Sequence, residues 1–389
     1  MKTIIVGGGI VGLSAAWALK RAGADVSVVE QGALPNPLGT SVDQHRLIRY
    51  PYGAQRGYLR MVREAYHGWE RLWGDLKMRF YAETGTLVLS GAGDSWAKEC
   101  VVALAAEEIE HLAFDAEAVT GRWPMLVGDG LEDAYYCPSG GLLFAEAIIA
   151  ALSSHLRERG VPLLTGKAVA ALDAEAGTLR LADGNGLRAD RILVAAGPWT
   201  GQLLPDLAPV SRPSRQTIVY LQPPAEFTAA WHAAPMLLEI GATKGFYLVP
   251  PRVTRDGMRT GLKIGDHRFG PTADPGGDRE PSAAEIDAIL DNARHRIAGL
   301  EGYRILQGKT CFYDVEPEER FQFRRLGARG FALCGTSGHG FKFGPVLGEK
   351  IAAVLQEKED FDAAARWAAG HVIPDHIIDV PAAASDSSG

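Results

Sequence analysis

The sequence predicts an α/β (α+β) chain in which a parallel-sheet domain is interleaved with a smaller domain built on an antiparallel or mixed sheet with helices. Three observations carry this. Residues 2–30 read as strand, helix, strand, the βαβ unit of a parallel sheet. Two further apolar strands, at 191–196 and 330–334, end in small residues or glycine and return to that pattern far down the chain. Between them, from 212 to 310, the pattern changes to strands and proline-rich turns with one helix near 282–298.

Taken in order, residues 2–7 form a short buried strand, 10–22 an apolar helix and 26–30 a second strand. A helix rich in Arg, Glu and aromatics follows at 57–75. Residues 79–93 alternate as strands do, 95–112 and 144–159 read as helices, and Gly160 stands where a helix ends. Short strands at 162–182 stop at Asp183-Gly184-Asn185-Gly186, a hairpin signal. The last ordered part is the strand 330–334, a glycine loop and a helix at 345–356, and 380–389 is expected to be a disordered tail. The segments of the first kind divide the chain into one domain at 1–78, 140–212 and 306–379 and a second at 79–139 and 213–305.

Composition narrows the functional classes. The net charge is −7, so no basic face for nucleic acid is expected. No apolar run reaches the ~18 residues of a membrane span, and no secretory leader is visible, so a cytoplasmic protein is expected. Cys100, Cys137, Cys311 and Cys334 show no paired spacing, so neither a metal site nor a disulfide framework is expected.

Gly7-Gly8-Gly9-Ile10-Val11-Gly12 matches G-x-G-x-x-G between the first strand and helix. Gly7 suits the tight turn, Gly9 lets backbone approach a pyrophosphate, and Gly12 lets helix pack on sheet. The helix start offers free N–H groups and a positive dipole end to phosphate. Glu30 closes the second strand, where a carboxylate accepts ribose hydroxyls and disfavours a 2′-phosphate. This reads as a Rossmann-like dinucleotide site. The strand 190–197, which runs into Ala196 and Gly197, favours FAD over NAD.

Cys334-Gly335-Thr336-Ser337-Gly338-His339-Gly340-Phe341-Lys342-Phe343-Gly344-Pro345 strongly resembles the flavin-covering loop of the monomeric sarcosine oxidase and N-methyltryptophan oxidase family, within the D-amino acid oxidase-like flavoenzymes. Further segments agree in order: His45 to Arg49, Gly121 to Pro124, Gly261 to His267, and Cys311 to Tyr313. The resemblance covers nearly the whole chain. It implies an FAD-dependent oxidase that acts on the C–N bond of a secondary or cyclic amino acid, passes electrons to O2 and releases hydrogen peroxide, working as a monomer on a small-molecule amine. A same-fold dehydrogenase with another acceptor, or a non-catalytic flavin-binding protein, are the alternatives.

The resemblance also implies roles. Arg49 and Lys342 would hold the substrate carboxylate, a guanidinium fork and an ammonium being a sensible clamp. Lys263 would lie beside the flavin and speed its reaction with O2; His267 and Tyr313 would line the active site, and Arg46 would face the flavin. Tyr247 lies in the segment that departs most and would shape the pocket. Cys311 would carry a thioether to the flavin. The cofactor would further touch Gly7, Gly9, Ile10, Val11, Gly12, Glu30, Gln31, Ser41, Val169, Ala196, Gly197, Trp199, Gly338, His339, Gly340, Phe341 and Lys342. Where the family is His-rich before its arginine pair, this chain has Thr40-Ser41-Val42-Asp43-Gln44.

Overall fold

A computed structural model describes residues 1–372 apart from 92, 242–244, 255, 256 and 258. The expected tail at 380–389 and the last residues of the first expected domain lie outside the described residues.

The strands Lys2–Val6 and Asp25–Val29 pair in parallel around the helix Ile10–Arg21. They sit inside a six-stranded sheet ordered Gln322–Arg325, Gly330–Cys334, Arg191–Val194, Lys2–Val6, Asp25–Val29, Leu163–Leu164. All neighbours run parallel except the first two. Central strands of such a sheet are covered on both faces, which is why they read as continuous apolar runs. The helix Ile10–Arg21 buries Leu13, Trp17 and Leu19 in the core shared with Leu347 and Ile351 of the helix Gly344–Leu355.

The second sheet has eight strands in the order Arg304–Val315, Arg212–Gln222, Leu262–Asp266, Gly245–Val249, Met236–Ile240, Thr86–Gly91, Leu131–Cys137, Leu112–Phe114. It is antiparallel except where Met236–Ile240 meets Thr86–Gly91. Its core includes Val219, Trp231, Phe246, Leu248, Leu262 and Ile264. The chain leaves the first sheet for the second twice and returns twice. The expected boundary at 306 falls inside the strand Arg304–Val315, which pairs with Arg212–Gln222 over its whole length on the second sheet.

Other differences are local. The expected helix at 95–112 is the helix Trp96–Ala106 followed by the strand Leu112–Phe114. It stops because Glu108 takes a left-handed turn while Arg56 and Arg60 hold the carboxylate of Glu107. The helix Ala225–Ala233 carries too little periodicity to be read from sequence. The helix Phe361–Ala368, only eight residues long, is not read from sequence either, although Ala364, Trp367 and Ala368 recur at helical spacing on its buried face. The hairpin is present: Thr178–Leu181 pairs with Gly186–Arg188, and Leu181 N–H donates to Asn185 O at 2.8 Å. Among the described residues no helix is long and apolar enough to cross a membrane.

Candidate active site

Two cavities of about 280 Å3 each meet at a shared wall formed by Arg46, Gly338 and Phe341. The first lies at the carboxyl ends of the parallel strands, where ligands settle in open α/β sheets. The turn after Lys2–Val6 enters it with Gly7 at φ +110°, and a Cβ there would stand 2.2 Å from Ala195 O. A Cβ on Gly12 would stand 2.0 Å from Gly7 O, so only glycine lets the helix begin this close to the sheet. Ser41 Oγ accepts Ile10 N–H at 2.9 Å, while the following first-turn amides have no helical acceptor. Glu30, buried, accepts Gly8 N–H at 2.7 Å on one oxygen, and Gly32 N–H and Asn36 Nδ2 at 2.9 Å on the other. One lone-pair direction is left for a ribose hydroxyl. A glycine cradle, a helix start and a buried acid together fit a dinucleotide.

Every residue expected at the cofactor lines this cavity except Gly12, Cys311, His339 and Lys342. Gly12 acts from behind, through packing. Cys311 is buried on the strand Arg304–Val315, with Arg46 Nη2 3.9 Å from its sulfur. His339 and Lys342 face the second cavity instead. The His339 ring is packed among Phe321, Tyr58 and Tyr52. The loop is pinned by Asp314, which accepts Gly335 N–H at 2.7 Å and the Ser211 hydroxyl at 2.6 Å. Burial pushes the Asp314 carboxyl up to about 7.

The second cavity gathers Arg46, Arg49, Tyr247, Lys263, His267, Tyr313 and Lys342, the residues expected at the substrate or in catalysis, although they come from distant parts of the chain. Arg49 extends from the end of the strand Arg46–Ile48, its guanidinium over the Tyr52 ring at 4.8 Å and the Trp96 ring at 5.8 Å. Lys342 sits on the turn Phe341–Phe343, anchored by Trp69 Nε1 donating to Lys342 O at 2.7 Å. Its ammonium donates to Tyr52 Oη at 2.9 Å and His339 O at 3.0 Å. Burial, reinforced by Arg49, holds Lys342 well below the ordinary lysine range. Burial likewise lowers His267 to about 4 and pushes Tyr313 up to about 12, so both are neutral in the middle pH range. Burial and the neighbouring Tyr313 raise Tyr247 well above the ordinary phenol range.

Lys263 differs from the sequence expectation in one respect. Its ammonium is not a lone charge but donates to Asp43 at 2.6 Å. Asp43 also takes Arg46 and the Tyr220 hydroxyl. Asp43, Tyr52, Glu319 and Trp96 are parts of the site that the sequence reading missed. Asp43 stood in the very stretch that departs from the resemblance, and Tyr52 lies three residues past Arg49. Neither spacing says which way a side chain points. Among the described residues no cluster of three or more His, Cys, Asp or Glu could hold a metal.

A family model described as DAO, FAD dependent oxidoreductase, matches residues 2–354. The chain belongs to that family. As a DAO-family protein it is an FAD-dependent oxidoreductase, and the first cavity is the place its residues fit the cofactor. N-methyl-L-tryptophan oxidase of Yersinia pestis (strain Pestoides F) is 25% identical over 361 residues, 91% of this chain and 95% of that protein. The same enzyme of Yersinia pseudotuberculosis serotype O:1b matches equally. NikD, an amino acid oxidase essential for nikkomycin biosynthesis, superposes with a TM-score of 0.79 at 21% identity, over 94% of this chain and 96% of that one. L-proline dehydrogenase from P. horikoshii gives 0.79 at 19% identity, over 95% and 96%. Amadoriase I of Aspergillus fumigatus, a fructosyl amine:oxygen oxidoreductase, gives 0.77 at 20% identity, over 93% and 88%. The structural likenesses extend the DAO assignment to the fold.

Proposed function

We propose that this DAO-family chain oxidises the C–N bond of a secondary or cyclic amino acid, of the N-methyl amino acid kind, and passes the electrons to O2 as hydrogen peroxide. The observation that carries the reading is the pairing of Arg49 and Lys342 in a cavity that opens, past Arg46 and Gly338, on the dinucleotide cleft. A guanidinium and a buried ammonium facing one space suit a carboxylate. Leu238, Ile240 and Phe246, which also line the cavity, suit an apolar group.

FAD, when bound, supplies acceptance of a hydride from the carbon next to nitrogen. The protein's part is to hold the substrate by its carboxylate so that this carbon faces the shared wall, where orientation yields much of the rate. Arg49 and Lys342 also favour the neutral amine, whose lone pair hydride loss requires. Tyr247, Tyr313 and His267 are neutral at working pH and supply hydrogen-bonding positions around that amine. We infer further that Cys311 carries the flavin as a thioether, supported by its place beside Arg46 and two residues before Tyr313.

Anaerobic mixing with a panel of N-alkyl and cyclic amino acids should bleach the flavin absorbance, and air should restore it with release of peroxide. A bound flavin that no amine bleaches would end the proposal. A specific observation favours the dehydrogenase reading as the second choice: Lys263 is shared with a carboxylate, which weakens the field it offers to O2. Bleaching without peroxide, with dye reduction in its place, decides for that reading. Acid precipitation tests Cys311, since a thioether keeps the colour on the protein.

A further inference from the structure

The second cavity's back wall holds a buried charge cluster that the sequence did not reveal. Asp43 is 1% exposed and Lys263 2% exposed. One Asp43 oxygen takes Lys263 Nζ at 2.6 Å together with Arg46 Nη1. The other takes the Tyr220 hydroxyl and Gln44 N–H, the latter at 2.9 Å, and Lys309 Nζ stands 3.6 Å away. Three cations therefore surround one carboxylate. The strands that carry them, Arg46–Ile48, Leu262–Asp266 and Arg304–Val315, come from both expected domains.

The groups facing the Lys263 ammonium are Asp43, Arg46, the His45 carbonyl at 3.4 Å with its buried ring, the Tyr247 ring at 5.6 Å, and the more distant Cys311. Asp43 is the one carboxylate among them. An ammonium taken out of water beside a guanidinium loses its proton unless an anion holds it. We propose that Asp43 is a positioning residue whose function is to keep Lys263 an ammonium beside Arg46, which lines both cavities, so that Asp43 and Lys263 act as one charge-setting unit toward the flavin.

The inference rests on the reading of Lys263 as a group that acts on the flavin. The direction of the electrostatics agrees with the geometry. Burial brings Lys263 down to about 8 and Asp43 opposes that fall. Lys263, Arg46 and Lys309, against the cost of burial, hold Asp43 well below the carboxylate range. A lysine lowered to about 8 is charged below that pH and loses its proton above it. Removing an opposite charge at contact distance lowers the transition by roughly 1–3 pH units, which moves it below neutrality.

The test is an NMR titration of protein labelled with 13C at lysine Cε, in the FAD-loaded and FAD-free forms, with the Lys263 signal identified by its loss in Lys263→Met. The native signal should stay that of an ammonium to about pH 8, that of Asp43→Asn should be neutral at pH 7, and Asp43→Glu should restore the charge. Tyr220→Phe, which keeps the carboxylate but removes a donor that competes with Lys263 for it, should raise the transition by a smaller step and serves if Asp43→Asn does not fold. A Lys263 transition that does not move in Asp43→Asn, or in Tyr220→Phe where that is the variant available, overturns the inference. In the loaded protein, Lys263→Met, which leaves the Asp43 anion behind, should lower the flavin midpoint potential; Asp43→Asn, which removes both charges of the pair, should lower it less, and the double variant should match Asp43→Asn. Additive shifts overturn the single-unit claim. A Lys263→Met potential equal to the native one, with the NMR result as expected, overturns instead the placement of Lys263 beside the flavin.

Discussion

Lys263 and Lys342 line one cavity and are buried almost equally, 2% and 4% exposed, yet their surroundings are opposite. Lys263 has a permanent counterion in Asp43. Among the described residues Lys342 has only neutral acceptors, Tyr52 Oη and His339 O, with Arg49 nearby as a second cation. A buried charge already paired has little to gain from a ligand, whereas an unpaired one is stabilised by an arriving anion. The difference assigns the two ends of the cavity different work: the Asp43 end sets a fixed field, and the Arg49–Lys342 end recognises.

The strongest way to break this comparison is to remove the recognising cations. Arg49→Met or Lys342→Met should reduce kcat/KM by about 10²–10³-fold, the range for truncating one partner of a buried charge pair. Stopped-flow reduction with a carboxylate-bearing amine checks it, and a loss below tenfold in both variants means that the carboxylate is held elsewhere. At the other end, Lys263→Met should slow reoxidation by O2 by about 10²-fold, the scale of one preorganised charge, while reduction by amine changes little. Equal slowing of both half-reactions would erase the division of labour.

A pH experiment sharpens the same contrast. Burial lowers Lys342 from the ordinary lysine value in the free site, and a bound carboxylate raises it again. Between those two values binding takes up a proton, so affinity falls as pH rises, by up to about tenfold per pH unit. Calorimetry with a carboxylate analogue in buffers of different ionisation enthalpy should show proton uptake that disappears in Lys342→Met and persists in Lys263→Met. Uptake unaffected by Lys342→Met assigns the proton to another group.

The same contrast runs through what the sequence made legible. The dinucleotide cleft depends on backbone, and glycines at fixed spacing between a strand and a helix announce it: Gly7 and Gly12 do in the structure what the pattern requires of them. Arg49, Lys263 and Lys342 were reached through resemblance, and the fold brings them to one cavity. Asp43 and Tyr52 were not reached, because their meaning lies in partners 220 and 290 residues away. No local period encodes such a pairing, and an acid before an arginine pair reads equally as a solvated turn. The expected helix over 95–112 failed for a related reason: contacts from Arg56 and Arg60 across the fold end it early.

The smallest expected effect tests the finest detail. The cavity-facing chain of hydrogen bonds has a fixed direction. Lys342 Nζ donates to Tyr52 Oη, and a carbonyl can only accept, so His339 Nε2–H must donate to Glu319 O at 3.2 Å. His339, kept neutral by burial, therefore has a bare Nδ1, which accepts the Tyr52 hydroxyl at 3.2 Å. Tyr52→Phe removes one acceptor from Lys342 and the donor to His339 while keeping the ring under Arg49. With a net hydrogen bond worth about 1 kcal/mol, KM should rise about fivefold to tenfold with kcat nearly unchanged. Steady-state kinetics against the native protein reads the split. A fall in kcat at constant KM would place Tyr52 at the reacting atoms and move the recognising end of the cavity closer to the chemistry than the two lysines alone imply.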